Sequence, residues 1–167
     1  ALDTFFAQYA TARWSSATSR RLAVLATEFR TLATLRHPHI VSVLDYGFDL
    51  SGRPFYTMEL LRSSQPIVQW AVGRSFPEKA ELLLQLLDAL TYLHRRGIVH
   101  RDVSSNNVLI VSADGRALVK VVDFGLALDR ERVGDFVPAG TPLYMAPELY
   151  VGQPASVLSD LYAVGVL

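Results

Sequence analysis

Three polar side chains near the middle of the chain have the types and the spacing that chemistry needs. Asp102 ends a His-Arg-Asp motif, Asn107 follows five residues later, and Asp123 begins an Asp-Phe-Gly motif. An aspartate can accept or orient the proton of an attacking hydroxyl group, and carboxylate and amide oxygens are the ligands that Mg²⁺ prefers. Phosphoryl transfer needs both. We therefore predict that Asp102 is the catalytic base and that Asn107 and Asp123 are catalytic residues that bind the metal.

A long helix and two short strands are predicted to position these side chains. Ser75 and Glu78 have the spacing of a helix capping box, and the helix is expected to run on to Gly97. Residues 107–111 and 118–122 have the composition of strands. The catalytic candidates would then follow the end of the helix and the end of the second strand.

The flanking regions carry patterns of their own. An amphipathic helix is predicted from Leu22 to about His37, and strands at 40–46 and 54–60 flank a turn, which indicates an antiparallel hairpin. The chain beyond Leu61 is expected to be mainly helical, and a last helix should begin near Ser156.

Composition narrows the class of protein without naming it. The chain has 167 residues, half of them hydrophobic, with zero formal net charge and no cysteine. A sizeable core is expected, whereas nothing favours nucleic-acid binding, a membrane segment or a disulfide framework. Without a signal-peptide pattern, the cytoplasm is the default location. The chain ends on the apolar run YAVGVL, so we expect it to be part of a larger polypeptide.

A fourth motif completes an ordered set. Ala-Pro-Glu, ending at Glu148, lies in the string GTPLYMAPELY after the other motifs. From about Leu22 to the last residue the chain resembles a eukaryotic-type serine/threonine protein kinase domain of the kind also found in bacteria. The resemblance implies a two-lobed α+β fold that is truncated at both ends. Residues 1–21 stay unassigned, 22–61 would form part of the N-terminal lobe, and 62–167 part of the C-terminal lobe.

The resemblance also assigns cofactors, a substrate and further residues. It implies ATP and Mg²⁺, with a protein Ser or Thr hydroxyl as acceptor. Asp160 would brace the catalytic loop from below. The expected nucleotide-binding residues are Glu28 as partner of a phosphate-binding lysine, Met58 as gatekeeper, Glu59 and Leu61 through their main chains to adenine, and Leu109 as the floor beneath it.

Several positions depart from the family pattern. No glycine-rich loop precedes Glu28, and no lysine precedes Lys79. Ser104 stands where these kinases usually carry a lysine that reaches the transferred phosphate. Residues 126–139 contain no Ser, Thr or Tyr, so we predict no phosphate switch there; Asp129, Glu131 or Asp135 would pair with Arg101 instead. The fragment alone is expected to be inactive and marginally folded.

Alternative interpretations remain open at this point. In one alternative, the chain is a pseudokinase that binds nucleotide or acts as a scaffold. In the other, it is a small-molecule phosphotransferase on a related fold. Individual residues also have simpler explanations. His100 fits a packed core imidazole better than a base, Met58 and Phe124 fit core residues, and Glu28 fits a solvated helix charge.

Overall fold

The computed structural model describes residues 32–48, 54–113, 115–123 and 141–167. Its elements, in chain order, are β1 (Val43–Phe48), β2 (Pro54–Met58), β3 (Gln65–Pro66), α1 (Ile67–Trp70), α2 (Phe76–His94), β4 (Val108–Ala113), β5 (Arg116–Val121), a 3-10 turn (Pro142–Tyr144), α3 (Pro147–Tyr150) and α4 (Val157–Val166). Glu28, Phe124, Gly125 and the acidic residues proposed to pair with Arg101 lie outside the described residues.

Strands β1 and β2 form the predicted antiparallel hairpin. Val43 lies opposite Met58 and Phe48 opposite Pro54, with a register irregularity between Val43 and Asp45. The first strand starts three residues later than the sequence suggested. Residues 40–42 have strand composition, but Ile40 instead forms a parallel bridge with Val121 of β5. This segment therefore connects the hairpin to the second sheet.

The second sheet has the strand order β3-β4-β5. Strands β4 and β5 pair antiparallel from Val108 opposite Val121 to Ala113 opposite Arg116. Gly115, in the tight turn between them, has φ +76°, a left-handed conformation that glycine adopts at little cost. Both strands were predicted from composition, at residues 107–111 and 118–122, whereas β3 was not predicted. A two-residue strand has no periodicity to detect, and its partner lies far along the chain.

Helix α2 follows the predicted capping box. The Glu78 carboxylate accepts a hydrogen bond from the Ser75 main-chain N–H at 2.9 Å, and the helix ends at His94, shortly before Gly97. One face buries five apolar residues: Leu82, Leu86, Ala89, Leu90 and Leu93. The Gln85 amide accepts from Val119 N–H at 2.9 Å and donates to the Ala117 carbonyl at 3.3 Å. Its side chain thus covers the edge of β5.

A single buried cluster joins these elements. It runs from Leu32 through α2 and the strands of the second sheet to Ala163 on α4. Helix α4 begins as predicted, where the Ser156 hydroxyl accepts from the Leu158 N–H at 3.2 Å. Within the described part of the chain, no helix is both long and apolar enough to cross a bilayer. The domain boundary near residue 61 stays a prediction.

Candidate active site

The loop between α2 and β4 is held from below by a buried carboxylate. Asp160, near the start of α4, is 1% exposed. Its two oxygens accept hydrogen bonds from the main-chain N–H groups of His100 and Arg101, both at 2.9 Å, and the His94 ring lies 2.7 Å away. Three donors converging on one carboxylate fix the loop to two helices at once.

His100 is completely buried, and its contacts define a neutral ring. Nδ1 accepts from the Asp102 N–H at 3.3 Å, so the proton sits on Nε2, which donates to the Val122 carbonyl at 3.2 Å. Burial lowers the pKa of His100, and the nearby charge of Asp160 only partly opposes this shift. The ring therefore links the catalytic loop to the strand end before Asp123. This fits the packed imidazole that the sequence favoured.

The Asp102 carboxylate is held at both oxygens. Oδ2 accepts from the Asn107 side-chain amide at 2.7 Å. Oδ1 accepts from the main-chain N–H and the hydroxyl of Thr141, at 2.8 and 2.9 Å. The Asn107 amide also donates to the Asp102 carbonyl at 3.0 Å. Asp102 and Asn107, two of the three candidate catalytic residues, are thus in direct contact. Thr141, which lies shortly before the Ala-Pro-Glu motif, also bonds Asp102.

Thr141 is the site contact that sequence reasoning missed. The residue lies in the string GTPLYMAPELY that carries the Ala-Pro-Glu motif, but a motif carries no information about which distant side chain it meets. Only a tertiary contact across 39 positions shows that the loop is fastened to Asp102.

Asp123 lies at the end of β5, beside the same loop. Val122 N–H donates to the Asn107 carbonyl at 2.9 Å, which brings the two predicted metal ligands onto adjacent backbone. Asp123 is exposed and has φ +59°, a conformation that costs a residue with a Cβ atom roughly 1–2 kcal/mol. Such strain often accompanies functional sites.

The chemistry of these two side chains fits Mg²⁺. The Asn107 NH₂ group is engaged by Asp102, which leaves its oxygen for a cation, and Asp123 adds a carboxylate. The described residues contain no cluster of three or more His, Cys, Asp or Glu side chains that could hold a metal. Mg²⁺ is commonly bound by one or two carboxylates together with substrate phosphates, so a two-residue set is sufficient.

The predicted adenine contacts follow β2. Met58 ends that strand and is 37% exposed, so the interpretation of Met58 as a core residue is wrong. Leu61 packs partly against the core. Leu109 is half-buried in β4, opposite Lys120 of β5. The Glu59 carboxylate contacts the Lys120 ammonium group at 2.7 Å.

Ser104 lies inside the loop rather than at its surface. Its side chain is 1% exposed, and its hydroxyl has no hydrogen-bond partner among the described residues. Its carbonyl accepts from the N–H groups of Asn107 and Val108, both at 3.0 Å. The position therefore shapes the turn before β4 and supplies no positive charge to a phosphate.

Glu148 of the Ala-Pro-Glu motif has a partner on α4. Its Oε1 accepts from the Ser159 hydroxyl at 2.7 Å. Ser159 directly precedes Asp160, so the same turn of α4 anchors both the catalytic loop and the segment that contains Thr141.

The fold and the arrangement of Asp102, Asn107 and Asp123 are those expected of a protein kinase domain, and comparison with known proteins supports this class. The sequence profile of the protein kinase domain matches residues 9–167. The chain belongs to the protein kinase domain family.

Several relatives that match most of the chain are named as serine/threonine-protein kinases. It is 40% identical over 149 residues to the DNA damage-responsive serine/threonine-protein kinase RqkA of Deinococcus radiodurans, covering 84% of the chain and 22% of that protein. It is 39% identical to the serine/threonine-protein kinase Pkn1 of Myxococcus xanthus, covering 84% of the chain and 21% of that protein. The human serine/threonine-protein kinase H1 is 32% identical, with 86% and 35% covered. The chain spans about a fifth of the length of the two bacterial relatives.

Proposed function

We propose that the chain is the central part of a protein kinase domain that transfers the γ-phosphoryl group of ATP to a Ser or Thr hydroxyl of a protein. The observation that carries this proposal is the set of hydrogen bonds that fixes the Asp102 carboxylate. Its carboxylate has about four acceptor positions, and within the described part of the chain Asn107 and Thr141 occupy three of them. One position remains to orient a substrate hydroxyl.

The other residues have roles that follow from their contacts. Asn107 fixes Asp102 through its NH₂ group and presents its oxygen to Mg²⁺, and Asp123 presents its carboxylate beside it. Mg²⁺ would neutralise the charge that develops on the transferred phosphoryl group. The main-chain groups of Glu59 and Leu61 would bind adenine, with Leu109 below it. The substrate hydroxyl would pass its proton to Asp102 as its oxygen bonds to the γ-phosphorus, while the bond from that phosphorus to the β–γ bridging oxygen breaks and ADP leaves.

A protein acceptor is favoured over a small molecule. Thr141 lies at the start of the GTPLYMAPE segment, and its contact with Asp102 ties that segment to the reacting position. A loop fastened there can hold an extended peptide with its hydroxyl beside the base. This contact is the reason to rank the small-molecule phosphotransferase lower.

A pseudokinase is the second candidate, and one observation favours it. Ser104 is buried and neutral at the position where the family usually supplies a lysine, and the sequence has no lysine before Lys79. A protein with this loop would bind nucleotide and partner proteins without turnover. We further propose that residues 1–167 alone are inactive, because they supply too few cations to hold the phosphates.

The decisive experiment uses the full-length protein with Mg·ATP and a Ser/Thr peptide library. We expect ATP-dependent phosphorylation, and we expect Asp102→Ala to lower kcat by about 10²–10⁴-fold while nucleotide binding persists. Thr141→Val, which removes one hydrogen bond to the carboxylate, should lower kcat about tenfold; Thr141→Ser, which keeps the hydroxyl, is its matched control.

The outcomes separate the candidates. Nucleotide binding without any turnover identifies a pseudokinase, and turnover of small hydroxyl compounds without peptides identifies the other phosphotransferase. Strong peptide phosphorylation by residues 1–167 alone, abolished by Asp102→Ala, overturns the proposal that this fragment is inactive.

A further inference from the structure

An ion pair joins the segment after β2 to strand β5. Lys120 Nζ lies 2.7 Å from Oε1 of Glu59, and the two side chains are 15% and 32% exposed. The same carboxylate oxygen accepts from the Ser42 main-chain N–H at 3.1 Å. Glu59 N–H in turn donates to the Ser42 carbonyl at 3.0 Å. The Glu59 side chain is therefore fixed from two directions.

These contacts close into a ring through the main chain. Val41 N–H donates to the Val121 carbonyl at 2.9 Å, and Val121 N–H donates to the His39 carbonyl at 2.9 Å. Because Val41 adjoins Ser42 and Val121 adjoins Lys120, the ring runs from Glu59 through residues 41–42 to β5 and returns across the ion pair. We call Ser42, Glu59 and Lys120, with the bonded backbone at Val41 and Val121, the hinge ring.

The hinge ring includes or adjoins several residues that are expected to contact the nucleotide. Glu59 lies between Met58 and Leu61, and Lys120 lies opposite Leu109 in the β4–β5 pairing. Asp123 lies three residues after Lys120, just beyond the end of β5. The ring thus connects the residues that would meet adenine to the strand that carries the metal-binding carboxylate.

We infer that Lys120 is a positioning residue for nucleotide binding, which acts through Glu59 to hold the adenine-contacting main chain at a fixed height above Leu109 and at a fixed offset from Asp123. This inference rests on the proposed function, since it names a determinant of ATP affinity in that site. Lys120 touches neither the nucleotide nor the reacting atoms in this scheme.

The physical basis is preorganisation. Without the ion pair, the segment after Met58 keeps its main-chain bonds to Ser42 and the packing of Leu61 against the core, but the Glu59 side chain no longer reaches β5, so the segment must lose more conformational freedom when adenine binds. Holding a binding segment in its bound conformation lowers that cost. An isolated exposed ion pair contributes little, but here the carboxylate is partly buried and a second donor aligns it. The expected effect therefore falls on ATP affinity rather than on the chemical step.

The test compares five variants of the full-length protein by steady-state kinetics, calorimetric Mg·ATP binding and thermal unfolding. Lys120→Met removes the charge and keeps the length, and Glu59→Gln keeps the main chain and the acceptor for Ser42. Their double variant completes a cycle. Lys120→Arg conserves the charge. Arg74→Met is the matched control, because it breaks the exposed Arg74–Glu78 ion pair at the start of α2, which involves no residue assigned to the nucleotide site.

We expect Lys120→Met to raise KM and Kd for ATP about fivefold with kcat changed by less than about twofold. Glu59→Gln should act in the same direction, and the double variant should be no worse than the stronger single variant. Lys120→Arg and Arg74→Met should retain the original KM.

Two results overturn the inference while leaving the proposed function intact. One is an unchanged KM in Lys120→Met, with or without a lower melting temperature. The other is a double variant whose effect equals the product of the two single effects. If the unmodified protein neither binds nor turns over Mg·ATP, the proposed function itself fails, and the positioning role is rejected with it.

Discussion

The catalytic loop and the hinge ring are held in contrasting ways. In the loop, main-chain N–H groups and a histidine converge on Asp160, which is almost fully buried. In the ring, one partly exposed ion pair and a few main-chain bonds connect Glu59 to β5. Buried charged hydrogen bonds are strong and costly to break, whereas partly exposed ion pairs are weak and screened by salt.

The contrast matches what each region has to do. A catalytic carboxylate must stay within a fraction of an ångström of its position. Arg101 in the loop and Asp123 just after β5 are even held at positive φ, 71° and 59°. A nucleotide-binding segment has to admit and release its ligand in every cycle. A modest tie favours the bound conformation without locking it.

The largest predicted effect tests the loop. Asp160→Ala leaves two main-chain donors and a histidine without their acceptor, so we expect the free energy of unfolding to fall by about 4 kcal/mol. Lys120→Met in the hinge ring should lower it by no more than about 1 kcal/mol. Urea denaturation of both variants measures the two losses side by side.

Asp88→Ala serves as the control for removing a carboxylate. The Asp88 side chain is 67% exposed, and its contact is His37 at 3.2 Å, so a small loss is expected. Similar losses for Asp160→Ala and Lys120→Met would end the contrast between the two regions.

The second prediction concerns pH. Burial lowers the pKa of His100 below its ordinary value of 6.5, so between the folded and unfolded pKa values the unfolded chain binds more protons. Stability should therefore be complete above pH 6.5, fall as the pH drops through that value, and level off below the folded pKa. Unfolding curves from pH 8 to pH 5 measure this slope.

A variant assigns the slope to its residue. His100→Gln should flatten the dependence, and the remainder belongs partly to His37, whose pKa burial also lowers. Imidazole NMR signals should show His100 neutral with its proton on Nε2 at pH 7, and its titration should fall below the ordinary value of 6.5. A His100 signal that titrates at its ordinary pKa contradicts the buried hydrogen-bond network.

The smallest predicted effect concerns Ser104. Its buried hydroxyl has no hydrogen-bond partner among the described residues, and such a group costs about 1–3 kcal/mol. Ser104→Ala removes that cost and opens little space, so we expect a gain of about 1 kcal/mol in unfolding free energy and an unchanged KM for ATP. Thr91→Ala, on an exposed position of α2, is a matched hydroxyl deletion. A clear loss of stability in Ser104→Ala shows that its hydroxyl is bonded.

Local elements were predictable because local signals define them. The Ser75–Glu78 spacing located the start of α2, and strand composition located β4 and β5. Local patterns did not reveal β3, whose two residues pair with a strand far along the chain. They also favoured a core position for Met58, whose side chain is exposed because burial depends on the tertiary packing around it. The role of Glu28 stays a prediction.

The candidate site also has features that the sequence predicted and features that only the tertiary structure revealed. The sequence by itself determined the order and chemical types of Asp102, Asn107 and Asp123 and the family to which the chain belongs, because motif spacing reflects local backbone requirements. Only the tertiary structure decided that Thr141 bonds Asp102, that Ser104 is buried, and that Lys120 reaches Glu59. Those contacts join residues 39 and 61 positions apart, whose meeting depends on how the helices and sheets pack.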